Sequence, residues 1–226
     1  MGTSSAALEP TPRTTLKRAP DRGTYDREAI HAILDEALIC HLGFSIGGKP
    51  GIIPTILGRS GDTVYVHGST ANRALRALAA GGDACVEVTL IDALVLGRSA
   101  FHQSMNYRSV ILYGPMREVT DAQEKLEALR VMVEHAIPGR WKDVRGPNVQ
   151  EFQRTMVLAL DIHEGTAKVR SGPPIDDEED YELACWAGVI PLEQRPGVPA
   201  SDGRLLPGVD VPAYASDYRR PGESRS

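Results

Sequence analysis

No stretch of this 226-residue chain approaches the ~18–20 consecutive apolar residues that a membrane span needs, so no membrane helix is expected. Nor does the N-terminus carry a basic region followed by an apolar run, and a secretory leader is not expected either. Positive charge is in deficit: 25 Lys and Arg face 30 Asp and Glu, for a formal net charge of −5. Nucleic acid and anionic membranes both favour basic surfaces, so neither is expected as a partner; a small basic pocket is still compatible with this balance. Cysteine is scarce: Cys40, Cys85 and Cys185 form no CxxC pair, are odd in number, and each lies in an apolar segment. They read as buried free thiols. That suits a reducing compartment and makes the cytoplasm the expected location.

Common catalytic signatures are missing too. The chain contains no HExxH, GxSxG, GxxxxGK[ST] or GxGxxG. Its six histidines, at positions 31, 41, 67, 102, 135 and 163, have no ligand-like spacing. No cysteine has a setting that would mark an activated nucleophile. Hydrolase and metalloenzyme readings therefore have little footing.

What is present is 42% apolar residue content, enough to bury a core. Residues 1–22, rich in Thr, Ser, Ala, Pro and Arg, read as a flexible arm. Residues 193–226, with prolines at 196, 199, 207, 212 and 221, read as an irregular tail, because proline removes a backbone donor and fixes φ. Either tail has the composition to stay disordered or to wrap a partner subunit. The folded domain is expected over 23–192.

Within it, Asp26 caps a helix with apolar positions Ile30, Ile33, Leu34, Ala37 and Leu38 at helical spacing. Strands follow at 38–46, 52–57 and 63–67, joined by the Gly47-Gly48 and Arg59-Ser60-Gly61-Asp62 turns. A short Ala/Leu helix over 72–80 ends at Gly81-Gly82. Strands are expected at 84–90, 94–100, 107–113, 116–119, 156–162 and 167–169. Asp121 caps a second amphipathic helix that presents Leu126, Leu129, Val133 and Ile137 on one face. The run Asp176-Asp177-Glu178-Glu179-Asp180 reads as a solvated loop. Many short strands without βαβ alternation argue for a closed or nearly closed antiparallel barrel.

Three segments have the chemistry of a binding site. His67-Gly68-Ser69-Thr70-Ala71-Asn72-Arg73 runs from a strand end into a helix start. Free amides there, with the helix dipole, favour an anion such as phosphate. Gly68 allows close approach, and Ser69, Thr70, Asn72, Arg73 and His67 add side-chain donors. The alternative is ordinary helix capping with Arg73 on a solvated face. In the second segment, Met105 and Tyr107 can form a wall for a planar ring while Asn106, Arg108 and Ser109 contact its polar edge; the alternative is a strand start whose polar residues face water. In the third, Trp186 packs over a ligand, across an interface, or in the core.

Taken in order, these segments resemble the pyridoxamine 5′-phosphate oxidase-related, FMN-binding split-barrel proteins, a group similar to the nitroimidazole-resistance proteins. The residues carrying the likeness are Tyr25-Asp26-Arg27 with Ile33-Leu34-Asp35-Glu36-Ala37, Ile53-Pro54-Thr55, and Val64-Tyr65-Val66-His67-Gly68-Ser69 with Asn72-Arg73. They continue in residues 101–110, 167–174 and 186–192.

The resemblance implies a mainly β fold with flanking helices, a six-stranded antiparallel split β-barrel. It implies a homodimer with two FMN sites at the subunit interface. Pro54, Thr55, Ile56 and Leu57 would lie along the ring edge. His67, Gly68, Ser69, Asn72 and Arg73 would hold the phosphate. Met105, Asn106, Tyr107, Arg108 and Ser109 would add ring or phosphate contacts, and Trp186 would reach over from the partner.

The implied activity is FMN-dependent oxidoreduction of a small molecule, with a non-catalytic flavin carrier as the alternative. Some relatives use a deazaflavin or haem instead; a haem barrel would need an axial ligand from His67, His102 or His163. After Trp186 the chain reads Ala-Gly-Val-Ile-Pro-Leu, without the Arg-x-His that grips pyridoxal phosphate in the true oxidase. The resemblance therefore implies a flavin site without that substrate.

Overall fold

The computed structural model describes residues 6–219. After the short β1 (Gly23–Thr24), Asp26 caps α1 (Arg27–Glu36) by accepting from the Ala29 amide, and the helix buries Ile30, Ile33 and Leu34. β2 (Ile39–Ile46) and β3 (Lys49–Ser60) form a hairpin. Its turn is Gly47-Gly48, at φ 59° and 75°, a left-handed pair that only glycine adopts without strain. β4 (Thr63–Ser69) leads into α2 (Arg73–Ala79). β5 (Asp83–Leu96) and β6 (Ser104–Pro115) form the longest ladder. β7 (Arg117–Glu118), α3 (Ala122–Ala136), α4 (Val149–Arg154), β8 (Thr155–Asp161), β9 (Glu164–Arg170), β10 (Gly188–Pro191) and α5 (Ala213–Ser216) complete the chain.

All strand pairs are antiparallel. They form one sheet in the order β1-β9-β6-β5-β2-β3-β4-β8-β7, with β10 on the far end of β5. The sheet curls around a core that includes Leu42, Leu57, Val64, Val66, Val86, Leu112 and Leu158, closed at one end by α1 and on a side by α2. The mainly β split-barrel expectation holds. The strand number does not: the described residues form ten strands rather than six, and three of the ten (β1, β7 and β10) are short additions of two to four residues.

Several local expectations change. The two strands expected at 84–90 and 94–100 are one, since a bulge at Asp92 absorbs the irregularity without ending the ladder. α3 buries Ala128 and Met132, while Leu126 and Ile137 of the expected face stay exposed. Its partner strand explains this: a Cβ on Gly58 would lie 2.8–3.0 Å from atoms of Met132, so the helix backbone sits directly on the glycine. α4 was not foreseen, although Asn148 and Glu151 form a capping box there.

From residue 6 the N-terminal segment is packed, not a loose arm. Leu8 is buried, Arg13 bonds Asp83 and Glu164 and lies over the Tyr113 ring, and Lys168 reaches the Arg18 carbonyl. Of the acidic run, Asp176 is buried against Arg98, so only the remainder is solvated. Of the cysteines, Cys40 is buried, with its thiol pushed up to about 12 by burial. Cys85 is half-buried and Cys185 is exposed, because the segment around Cys185 is a surface loop. Among the described residues, no helix is long and apolar enough to cross a membrane.

Candidate functional site

The outer face of the sheet is covered in two places and bare between them. The N-terminal segment covers the β9–β6 side through the Arg13 and Lys168 contacts. α3 covers the β3–β4–β8 side, where Met132 meets Gly58 and Tyr65 donates to Glu124 at 3.4 Å. Between them lies a strip formed by β5, β2 and β3. Side chains alternate across a strand. Cys40 and Leu42 therefore enter the core while Ile39 and His41 face out, and Ile53 and Leu57 turn in while Ile52, Pro54 and Ile56 face out. Ile39 pairs with Ile56 and His41 with Pro54. Ile39, Ile52, Ile56 and Ile91 are 54, 66, 43 and 50% exposed, an unusual density of aliphatic surface for a soluble face.

The β3–β4 pairing ends at Leu57–Val66, and the next residue of β4, His67, lies on the opposite side of that strand from the buried Val66. Its Nδ1 is buried and has no hydrogen-bond partner among the described residues. Burial lowers its pKa, which keeps the ring neutral near pH 7. The other candidate ligands differ: His102 pairs with Asp177 at 3.3 Å, and His163 is exposed.

The strip opens at one end into a groove of about 1160 Å³ lined by Glu36, Ile39, His41, Pro54, Thr89 and Asp92, with residues 192–196 at its rim. Beside it Arg108 is held in a carboxylate clamp. Its Nε donates to Asp92 at 3.0 Å, and Nη2 to Asp92 at 2.7 Å and Glu36 at 2.9 Å, while Nη1 also bonds Glu36. Glu36 and Asp92 together hold its pKa well above the ordinary range. Sequence reasoning missed both carboxylates, since they lie 72 and 16 residues from Arg108.

The expected site residues thus fall into separate places. Pro54 lines the groove and Ile56 lies on the strip, but Leu57 is in the core. The turn after β4 is largely self-satisfied. The Thr70 amide donates to the Arg154 carbonyl, that of Ala71 to Ser69 Oγ, that of Asn72 to the Ser69 carbonyl, and those of Ala74 and Leu75 to Asn72 Oδ1. The backbone donors expected to be free for an anion are used locally, and Asn72 is a helix cap. Arg73 differs: it is exposed, and its side chain makes no hydrogen bond or ion pair among the described residues.

Met105–Ser109 lie on β6, separated from β3 by β5 and β2 in the sheet order. Arg108 is bound to carboxylates rather than free for a ring edge. Asn106 is buried, accepting from Arg170 and donating to the Gly172 carbonyl at 3.1 Å. Met105 is exposed, and Ser109 contacts the Lys168 carbonyl. Trp186 is 67% exposed and lies against Gly188, so it is not a core anchor.

An antiparallel sheet curled into a half-barrel, with helices on its flanks and an apolar opening on its outer face, defines a split-barrel protein. A profile of the pyridoxamine 5′-phosphate oxidase family matches residues 26–169, and the chain belongs to that family. The flavocytochrome Anf3 from Azotobacter vinelandii is 42% identical, with a TM-score of 0.88 over 94% of this chain and 99% of its own. The FAD and heme binding protein from Mycobacterium smegmatis is 33% identical, with a TM-score of 0.84 over 88% and 98%. A protein from Bacteroides thetaiotaomicron described as a 5-nitroimidazole antibiotic resistance protein shares the fold at 23% identity, with a TM-score of 0.55 over 65% and 86%. No match is found among curated proteins.

Proposed function

We propose that this chain is a homodimeric flavin-binding oxidoreductase that also binds haem, with its cofactors against the bare strip and the adjoining groove. The observation that carries the reading is the exposed Ile39–Ile56 pair, aliphatic surface that a ring can lie on, with the neutral imidazole of His67 on the next strand, β4. A planar macrocycle or isoalloxazine needs an apolar wall, and an imidazole that ligates haem iron must be neutral. The fit of His67 sets it apart from His102 and His163. The likeness to a flavocytochrome and to an FAD and heme binding protein, over nearly the whole chain, supports both cofactors.

The flavin is FMN or FAD. The groove, of about 1160 Å³, has room for either. Arg73, free on the surface next to the Asn72 cap, is the chain's own donor for a phosphate, and it reaches one through a subunit contact rather than through the turn's amides. When bound, the flavin supplies hydride or single-electron transfer. The chain's residues contribute orientation, apolar walls that exclude water, and a carboxylate-clamped Arg108 that keeps the groove margin rigid. The three free cysteines fit a cytoplasmic location.

The test is the visible spectrum of the freshly purified full chain, followed by release and chromatography of the flavin. Flavin bands and a Soret band are expected, with the Soret band lost in His67→Ala while the flavin stays. Reduction by NAD(P)H in stopped flow supports an oxidoreductase, whereas a bound flavin that is never reduced supports a carrier. A colourless protein that retains neither added FMN nor added FAD sinks the proposal.

A further inference from the structure

Two charged residues are more than nine-tenths buried among the described residues, Arg170 and Asp176. Asp176 is answered by Arg98, whose Nη1 donates to it at 2.9 Å. Arg170, at the end of β9 and 7% exposed, has no such answer. Its Nη1 donates to Asn106 Oδ1 and its Nη2 to the Pro173 carbonyl at 3.3 Å, and both acceptors are neutral. A guanidinium carries five N–H donors, so three are left without a protein acceptor among the described residues. No carboxylate among those residues bonds it.

The charged side chain beside it is a second cation. Arg22 ends a short 3-10 helix, Pro20–Arg22, and the next residue, Gly23, pairs with Lys168 of β9, two residues before Arg170. Lys168 Nζ donates to the Arg18 carbonyl at 3.3 Å, which pins the same turn from its other side. The Arg22 side chain is half-buried and makes no hydrogen bond or ion pair among the described residues. Burial and this neighbouring guanidinium both lower the Arg170 pKa. Asp21, in the same turn, is exposed and bonds neither arginine among the described residues. The turn is also strained: Ala19, which precedes it, has φ 50° and is the one described non-glycine residue at positive φ. A buried guanidinium held beside another, in a chain of net charge −5 with carboxylates to spare, is costly unless an anion comes from outside.

We infer that Arg170 and Arg22 form an anion subsite that takes the phosphate group of a small ligand. Charge chooses the anion: two guanidiniums match a phosphate monoester, which carries about −1.5 to −2 near pH 7, better than a singly charged carboxylate. Position adds to this. Arg170 pairs with Tyr107 and Tyr107 with Ile91, and Ile91 lines the groove. The Arg170 backbone thus lies two strands from the groove lining, about 10 Å at ~4.8 Å per strand. The phosphate belongs either to the flavin proposed above or to a separate phosphorylated ligand; only the first source rests on the cofactor reading.

The experiment titrates the full chain as purified, and its Arg22→Gln and Arg170→Gln variants, with inorganic phosphate by isothermal calorimetry, against sodium chloride at matched ionic strength. The flavin each protein retains after gel filtration is measured by absorbance. Arg22→Gln breaks no hydrogen bond or ion pair among the described residues, so it should keep the wild-type circular dichroism, and it carries the test where Arg170→Gln fails to fold. Phosphate binding by wild type that weakens about tenfold or more in Arg22→Gln assigns the subsite to a separate phosphorylated ligand. No phosphate binding by wild type, with flavin affinity about tenfold or more lower in Arg22→Gln, assigns it to the flavin's own phosphate. Wild type and Arg22→Gln that match in both measurements overturn the subsite. A colourless wild type that still binds phosphate through Arg22 removes the flavin reading and leaves the subsite standing.

Discussion

Replacing Arg108 with Met tests whether the carboxylate clamp holds the groove margin together. The guanidinium bonds Glu36 of α1 and Asp92 at the β5 bulge, so it ties a helix end to a strand irregularity. Methionine keeps most of the aliphatic length but leaves two carboxylates facing each other. At a separation of about 5 Å they repel by about 3 kcal/mol at an effective dielectric of 20, and by under about 1 kcal/mol in bulk water. The side chains of Arg108, Glu36 and Asp92 are 31, 20 and 37% exposed, so the true value lies between these limits, near about 2 kcal/mol.

Losing the charge-assisted bonds, partly replaced by water, brings the total to about 3 kcal/mol. For a chain of this length that is a fall in Tm of roughly 6–12 °C. Thermal denaturation by circular dichroism at pH 7 measures it. Added salt should shrink the deficit, because it screens the repulsion. Adding Glu36→Gln and Asp92→Asn should restore at least half, since breaking such a pair costs more than replacing all of it. A Tm within about 2 °C of wild type for Arg108→Met alone would refute the reasoning.

Three further outcomes are expected. Gly58→Ala places a Cβ against Met132 backbone atoms 2.9–3.0 Å away, and should cost about 3 kcal/mol by urea denaturation, at the upper end for overpacking; a loss under about 1 kcal/mol contradicts the close α3–β3 approach. Burial lowers the pKa of both His31 and His67, for His31 with Arg59 adding to it. Their neutral rings contribute stability that is complete above the unfolded value of about 6.5 and is lost as pH falls below it towards the folded values. Urea midpoints between pH 8 and 5 should therefore fall less in His31→Asn/His67→Asn than in wild type, and an equal fall rejects this. Arg73→Ala should weaken flavin binding about tenfold, followed by fluorescence quenching; unchanged affinity removes Arg73 from the phosphate site.

Local chemistry made most of the fold legible. Asp26, Asn72 and Asp121 cap the helices expected to start there, and Gly47-Gly48 turns the hairpin where expected. What could not be read depends on distant partners. No property of residues 122–136 says that Ala128 and Met132, rather than Leu126 and Ile137, face the sheet; that choice is made by Gly58, which removes a side chain exactly where a helix backbone can then sit. The Asp92 bulge looked like a strand end because one polar residue interrupts two apolar runs. The ladder survives because Asp92 points to Arg108, which carries the compensating charge.

The site divides along the same line. Residues 68–72 have the composition of an anion cradle, yet composition records how many donors a turn has and not whether they are already used. Here the Arg154 carbonyl, Ser69 and Asn72 take them. The strip was legible in principle. Ile52-Ile53-Pro54-Thr55-Ile56-Leu57 is apolar in both phases of a strand, the mark of a strand buried on two faces. Inside one chain only the Ile53 and Leu57 face has cover. The Ile52 and Ile56 face is left half-exposed among the described residues, and His67 on the neighbouring β4 keeps a buried nitrogen without a hydrogen-bond partner there. An apolar face and an unsatisfied imidazole side by side cost stability in an isolated protomer. The ring cofactor proposed above would cover the apolar face, whereas helix capping at the neighbouring turn leaves it exposed.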